Sequence, residues 1–382
     1  MVDAVMTNRR EFLLRSTAGA FALHQRRVAY SAQIVAEAPL RVLILGGTGF
    51  IGRHFVRAAR DRGHLVSVFS RGKTDPEIST DVEMLIGDRN NDLSPIMSRD
   101  WDAVLDLAVY VPKWVRSLGE ALRGRVKHYT FISTVMVYHS LGGASEESEL
   151  EAYAGAESPF SLEAPGTQYG SLKVLCEREA EAQFPGRSLV VRPGTIVGPG
   201  ERLGAFTYWV GRLEKGGEVL AAGEPLAPIQ LIDVRDLAEW TVRLAERKQT
   251  GSFTAVGPAA RFTWGEFLGG IRAAFSVPTS LTWIPLSWLM ERSLRPFNSL
   301  LFWPAQVGIP GSMELKVDKA VRHGLSFRPL NATIVDTINW YRNLPADRQR
   351  DSLIGFDEKN KSLEDSMARE RELLAAWHVV QR

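Results

Sequence analysis

The sequence predicts an α/β protein: a doubly wound parallel sheet with a smaller, mostly helical lobe towards the C-terminus. Two observations carry that prediction. From Leu40 onward, short apolar runs alternate with segments whose apolar residues recur at helical spacing, the pattern of parallel strands joined by helices. A glycine cluster stands between the first such run and the first helical segment, where this architecture places its ligand-binding turn. The composition agrees with a folded globular chain: 382 residues, 45% hydrophobic and 24% charged.

The elements follow in order. Residues 40–45 (Leu40-Arg41-Val42-Leu43-Ile44-Leu45) read as a strand buried on both faces. Residues 50–62 carry Phe50, Ile51, Phe55, Val56 and Ala59 on one helical face, and Gly63 ends that helix. Further strands are read at 64–70, 82–86, 103–107, 129–133 and 188–192, mostly with helical patterns between them. Beyond Arg192 the rhythm loosens. Thr263-Trp264-Gly265-Glu266 reads as a capping box opening a helix, and tryptophans and prolines crowd 283–304. The expected division is a dinucleotide-binding domain at 40–194, a substrate lobe interleaved with the last strands at 195–346, and at 347–382 a polar linker followed by a helix over 363–377.

Residues 1–39 read differently. Arg9, Arg10, Arg15, Arg26 and Arg27 are set against only Asp3 and Glu11. Asn8-Arg9-Arg10-Glu11-Phe12-Leu13-Leu14 resembles a twin-arginine export signal, with a short apolar run at 16–23 and a candidate cleavage region at 29–33. The other reading is a basic leader on a cytoplasmic protein, so cytoplasmic and exported locations both stay open. No run of eighteen apolar residues occurs, and no membrane-spanning helix is expected. Forty-six basic residues against 44 acidic ones give +2, too balanced for a protein living on nucleic acid. The single cysteine, Cys176, excludes an internal disulfide and a zinc site of several cysteines, and no metal is expected.

The glycine cluster is Gly46-Gly47-Thr48-Gly49-Phe50-Ile51-Gly52. Gly46 permits a tight turn, Gly49 lets a diphosphate approach the backbone, and Gly52 lets the helix sit close on the sheet. The helix N-terminus then faces the anion. The cofactor read from this is NADP or NAD. An acid that would bind ribose hydroxyls is absent from the end of the second strand, which reads Phe69-Ser70-Arg71-Gly72-Lys73. Arg71 and Lys73, with Ser70 beside them, suit a 2′-phosphate, which favours NADP. In Gly87-Asp88-Arg89, Asp88 is placed to accept from an adenine amino group, with Arg89 adjacent.

Tyr169-Gly170-Ser171-Leu172-Lys173 puts a phenol and an amine four residues apart, on one helical face. A free tyrosine has a pKa near ~10. A neighbouring ammonium favours the phenolate, so Lys173 is expected to lower Tyr169 into the range of acid–base work. Ser133 and Thr134 end the fifth strand, where hydroxyls face the ligand crevice of such a sheet. Thr134 is placed to bind the reacting oxygen.

With these segments the chain resembles the extended short-chain dehydrogenase/reductase superfamily, in its NAD(P)-dependent epimerase/dehydratase group. The resemblance spans about 40–341 and is carried by the glycine turn, Ile132-Ser133-Thr134-Val135-Met136-Val137-Tyr138, Tyr169-Gly170-Ser171-Leu172-Lys173, Val191-Arg192-Pro193-Gly194-Thr195-Ile196-Val197-Gly198-Pro199-Gly200 and Ile232-Asp233-Val234-Arg235-Asp236-Leu237-Ala238. It implies a Rossmann fold and a catalytic set of Thr134, Tyr169 and Lys173, with Lys173 also holding the nicotinamide ribose. It implies that Leu107 and Ala108 pass the cofactor, that Pro193 lies near its nicotinamide, and that the chain forms a homodimer.

The implied activity is hydride transfer between nicotinamide and a hydroxyl or carbonyl of a sugar-like or nucleotide-sugar-like small molecule. A small-carbonyl reductase of the same fold is the alternative. A non-catalytic cofactor-sensing or RNA-binding scaffold is the alternative of another class; the intact Thr-Tyr-Lys set and the balanced charge speak against it. Tyr208, Trp209 and Arg212 are the substrate candidates, with Trp303 and Tyr110 weaker ones. Three features depart from the family pattern: the missing acid after the second strand, His139 where glycine is usual, and a long insertion over 139–168. The insertion carries Glu146, Glu147, Glu149, Glu151 and Glu157, and reads as a solvated loop.

Overall fold

A computed structural model gives the fold; it describes residues 38–73, 78, 80–162, 164, 166–201, 205–294, 314–352 and 363–381. The twin-arginine motif of the leader and Trp303 lie outside the described residues.

Seven parallel strands form the central sheet: β1 (Arg41–Leu45), β2 (Leu65–Ser70), β3 (Glu83–Ile86), β4 (Ala103–Asp106), β5 (Tyr129–Ile132), β6 (Ser188–Pro193) and β10 (Gly251–Ala255). Their order is β10-β6-β5-β4-β1-β2-β3. The chain runs outward from β1 to β3, then returns to the other side of β1 with β4. That reversal makes the crevice beyond β1 and β4 the ligand position of a doubly wound sheet. In the register, Leu43 of β1 stands between Ser67 of β2 and Val104 of β4.

Apolar residues alternate between the two faces, and each face is covered by helices. Val42 and Ile44 pack with Phe55, Val56 and Ala59 of α1 (Phe50–Asp61) and with Leu237 and Trp240 of α6 (Val234–Glu246). Leu43 and Leu45 pack with Val115 and Leu118 of α3 (Pro112–Ala121) and with Cys176 and Ala180 of α4 (Tyr169–Gln183). A short helix, α2 (Ser94–Met97), precedes β4. The six strands read from sequence each lie within a residue or two of those observed.

The second lobe is built on α5 (Ala205–Glu214), the parallel pair β8 (Gly217–Ala222) and β11 (Thr279–Ile284), α7 (Trp264–Ala273) and α8 (Leu286–Glu291). A further parallel pair, β7 (Thr195–Val197) and β9 (Leu231–Asp233), links it to the sheet. Its core holds Phe206, Trp209, Trp264 and Phe267. The capping box at Thr263 and Glu266 is formed in both directions. Helices α9 (Asp318–Arg322), α10 (Leu330–Arg342) and α11 (Ala346–Ser352) follow, and α12 (Leu363–Val380) packs Leu363, Leu373 and Leu374 into the lobe core. No helix among the described residues is long and apolar enough to cross a membrane.

Candidate active site

The glycine turn is closed on its inner side and open on its outer one. Gly46 has φ +84°, a left-handed conformation that favours glycine, and a Cβ there would lie 2.8 Å from the Ala108 side chain. A Cβ on Gly52 would stand 2.2 Å from the Gly46 carbonyl oxygen, so α1 begins in contact with the turn. A Cβ on Gly49, by contrast, would meet nothing nearer than the Gly46 oxygen at 3.5 Å. Gly49 is the N-cap of α1, and no side chain caps its first N–H groups. These donors and the helix dipole are what a diphosphate takes.

Beside the turn lies a cavity of about 490 Å³, within the range of small-molecule sites. Gly46, Thr48, Gly49, Ser70, Arg71, Asp88 and Ala108 line it, with Arg89, Tyr110 and Trp114 along its wall. Arg71 and Lys73 are exposed at the mouth, and the Ser70 hydroxyl accepts the Gly72 N–H at 3.3 Å. Cradle, length and cationic rim therefore fit a dinucleotide. Gly47 is packed against Val68, and Leu107 is buried beside Gly46. Ile51 packs on the sheet core, Phe50 turns towards His54, and Pro193 is buried at the end of β6.

Two expected cofactor contacts have local partners. The Arg89 guanidinium donates to the Ala108 carbonyl at 2.7 Å and to buried Asp106 at 2.8 Å. It buttresses the wall rather than reaching out as a ligand arm. The Asp88 carboxylate accepts the Asn90 N–H at 3.0 Å, holding the turn after β3, while the residue still lines the cavity.

Tyr169 is the first residue of α4. Its ring centroid lies 6.4 Å from that of Tyr110 on the cavity wall. Thr134 ends the β5 turn; its hydroxyl accepts the Met136 N–H at 3.2 Å and lies near enough to the Tyr169 hydroxyl to favour its charged form. Gly170 makes this proximity possible, because a Cβ there would lie 2.2 Å from the Met136 carbonyl oxygen. One turn further along α4, Lys173 is buried and donates to the carbonyls of Val109 at 2.9 Å and Ile132 at 2.7 Å.

The electrostatics correct the sequence expectation. Tyr169 is not lowered: burial, with Tyr110 adding to it, pushes it up to about 12, and the Thr134 hydroxyl pulls only partly back. Burial also pulls Lys173 down to about 8. The amine faces two backbone carbonyls. At neutral pH Tyr169 is a phenol with a proton to give.

Below this pair lies a polar network that sequence reading missed. Glu177 accepts from the Ser133 hydroxyl at 2.5 Å and from Arg192 at 3.0 and 2.7 Å. Arg192 also donates to the Tyr138 hydroxyl at 3.2 Å, which meets the Thr254 hydroxyl at 2.6 Å. Ser133 precedes Thr134, so Glu177 ties the turn bearing Thr134 to the helix bearing Tyr169 and Lys173. The signal was legible: Glu177 follows Lys173 by four residues on the same helical stripe. Trp114 was also missed; its indole donates to the Asn90 side chain at 2.6 Å, and Arg89 lies over its ring at 5.3 Å.

Tyr208 and Arg212 stand elsewhere. Tyr208 is buried against Trp209 in the second lobe, and Arg212 is buried in an ion pair with Glu370 of α12 at 2.6 Å. Neither lines the cavity, so the placing of both at the substrate is corrected: α5 turns these side chains into the lobe core. The insertion is not all solvated loop either, for the Glu146 carboxylate accepts the Thr254 N–H of edge strand β10 at 2.6 Å.

The family model described as "NAD dependent epimerase/dehydratase family" matches residues 42–123 and 113–256, together more than half of the chain. The chain belongs to that family. It is an enzyme of the extended short-chain dehydrogenase/reductase type within it. Among relatives, an epimerase family protein of Bos taurus, SDR39U1, is 27% identical over 261 residues, covering 65% of this chain and 83% of its own. The 2′-dehydrokanamycin reductase of Streptomyces kanamyceticus is 24% identical over 267 residues, covering 67% and 72%. Among solved structures, the UDP-glucuronic acid 4-epimerase of Bacillus cereus in complex with NAD superposes with a TM-score of 0.56 at 17% identity, covering 78% of this chain and 98% of its own. That likeness shows the shared fold.

Proposed function

We propose that the protein is an NADP-preferring oxidoreductase that interconverts a hydroxyl and a carbonyl on a small molecule, with Tyr169 as the acid–base group. The observation that carries this reading is the Tyr169 phenol, set beside Tyr110 where the cavity wall ends and close enough to Thr134 to be influenced by its hydroxyl. The turn at Gly46 and Gly49 would hold the diphosphate, and Arg71 and Lys73 would hold the 2′-phosphate. A nicotinamide held there would supply the hydride chemistry at the substrate carbon. In reduction, Thr134 orients the substrate oxygen and Tyr169 gives it the phenolic proton; in oxidation, Tyr169 takes that proton back. Lys173 steadies the Val109 and Ile132 carbonyls and, while charged, favours the phenolate that forms.

One observation favours a carbonyl reductase over a nucleotide-sugar enzyme. Arg212 of the second lobe is held by Glu370, and on α6, against the sheet, Arg235 is held by Asp233 and Asp336 and Arg243 by the Gly324 carbonyl. Those cations are committed internally rather than aimed at a substrate diphosphate. Mass spectrometry of ligand co-purifying with the full chain would name nucleotide and substrate. On that substrate, Tyr169→Phe is expected to lower kcat by about 10²–10⁴-fold with dinucleotide affinity nearly unchanged. Turnover retained by Tyr169→Phe would remove the assigned role.

A further inference from the structure

Two consecutive backbone carbonyls at the exit of β4 are each held by a side-chain cation, and the two cations come from different elements. The Ala108 carbonyl accepts from Arg89 at 2.7 Å, and the Val109 carbonyl accepts from Lys173 at 2.9 Å. Arg89 arrives from the turn after β3, on the wall of the dinucleotide cavity; Lys173 arrives from α4, one turn beyond Tyr169. Arg89 is itself braced. A second guanidinium nitrogen donates to Asp106 at 2.8 Å, and the same carboxylate oxygen accepts the Tyr129 hydroxyl at 3.0 Å. Asp106 is fully buried, and its other oxygen has no hydrogen-bond partner among the described residues. Burying such a pair is costly and adds little stability, so its use is sought in the geometry it imposes. The segment it holds is tightly placed: the Leu107 N–H donates to the Leu45 carbonyl at 3.1 Å, and the Ala108 side chain closes on Gly46 of the diphosphate turn.

From this arrangement we propose that Arg89 is a positioning residue for Lys173: braced on Asp106, it holds the Ala108 carbonyl, and the next residue then presents the Val109 carbonyl that fixes the amine. The inference rests on the oxidoreductase reading above and adds a residue to its machinery. The peptide between Ala108 and Val109 is planar, so only the two dihedrals of Val109 lie between one held carbonyl and the other. Val109 is itself fully buried, which narrows those two. The Lys173 amine also donates to the Ile132 carbonyl at 2.7 Å and lies over the Phe131 ring at 4.3 Å, so a shift of Val109 re-aims it about those contacts. The ionisable groups around it are Asp106 on β4, Cys176 and Glu177 on its own helix, and Arg89. Because Ala108 also packs on Gly46, the same brace sets the cofactor cradle and the amine together.

The test uses the full chain, NADPH as the probe, and lysine labelled at Cε with carbon-13, the Lys173 signal being assigned with Lys173→Arg. It needs no substrate. Arg89→Lys keeps a cation against Asp106 but replaces the rigid fork of nitrogens by one ammonium. The double variant Arg89→Met/Asp106→Asn removes both charges, leaves neither ion uncompensated in the interior, and keeps an acceptor for the Tyr129 hydroxyl. In both variants NADPH affinity is expected to fall about tenfold. The NMR titration of Lys173 is expected to move down from about 8 by roughly half a pH unit, as the amine loses a carbonyl that favours its charged form. A Lys173 titration unchanged or raised in a folded variant would overturn the inference: with NADPH affinity lost, Arg89 would be a direct cofactor contact, and with only Tm lowered, the pair would be structural. Loss of folding in both variants would overturn it as well, making the pair a folding element. Failure of the oxidoreductase reading looks different: the unsubstituted chain does not bind NADPH, yet the Lys173 titration still moves with Arg89.

Discussion

Replacing Gly170 by alanine tests whether the approach of α4 to the β5 turn sets the chemistry. The new Cβ would fall 2.2 Å from the Met136 carbonyl oxygen, with the Glu151 side chain at 3.7 Å on its far side. An ordinary contact begins at 3.4 Å, so helix and turn must part by roughly 1 Å, because the obstacle is backbone and cannot rotate away. That displacement separates Tyr169 from Thr134, and a misplacement of about 1 Å at a reacting group costs on the order of 10²-fold in rate. Stability moves less: overpacking costs about 1–3 kcal/mol, and alanine returns about 0.5–1 kcal/mol of helix propensity. Steady-state kinetics with the co-purified substrate, thermal melting and NADPH titration read the three quantities separately. The expected pattern is a large fall in kcat, a modest fall in Tm and near-normal NADPH binding. Wild-type kcat in Gly170→Ala would refute the reasoning, since it would mean that the Thr134–Tyr169 distance does not govern the rate.

Other expectations follow from the same geometry. Arg71→Ala should weaken NADP binding by about 10–100-fold, as loss of a charge-assisted contact does, and leave NAD nearly unaffected; equal effects in calorimetry would count against the phosphate role. Glu177→Gln removes the charge facing Arg192 and is expected to lower kcat more than it raises KM, with Ser133→Ala giving a milder version; a fall in Tm alone would make the network merely structural. Because burial pulls Lys173 down to about 8, the free enzyme loses that positive charge as pH rises through about 8, and kcat/KM for reduction should decline there; a profile flat to pH 10 would contradict it.

Much of this was legible in the sequence because the strands of a doubly wound sheet are buried on both faces and announce themselves as apolar runs. β10 escaped, since Gly251-Ser252-Phe253-Thr254-Ala255 has one large apolar residue and sits at the sheet edge, where α9 covers it through Lys319 bonded to the Ser252 carbonyl. β8 and β11 escaped because they pair only with each other, across the 56 residues of chain between Ala222 and Thr279. In the site, local motifs were readable and long-range commitments were not. Nothing near Arg212 in sequence reveals Glu370, and nothing near Arg89 reveals that Asp106 would claim it. A cation's partner is set by the fold, so the ion pairs of these side chains were not legible in the sequence.

The expected lowering of Tyr169 failed for a reason that bears on direction. Helical spacing brings Tyr169 and Lys173 to one face, but it does not fix the solvent around them. Burial disfavours both charged forms, raising Tyr169 from 10.0 to about 12 and lowering Lys173 from 10.5 to about 8. Each change corresponds to about 3 kcal/mol against charge, comparable to what one close ammonium offers, so proximity alone cannot make the phenolate. Tyr169 rests as a protonated phenol, while the Lys173 amine, still largely charged at pH 7, is turned to the Val109 and Ile132 carbonyls. That state is prepared to give a proton to a carbonyl oxygen. Running the reaction the other way first requires that proton to leave, which burial opposes.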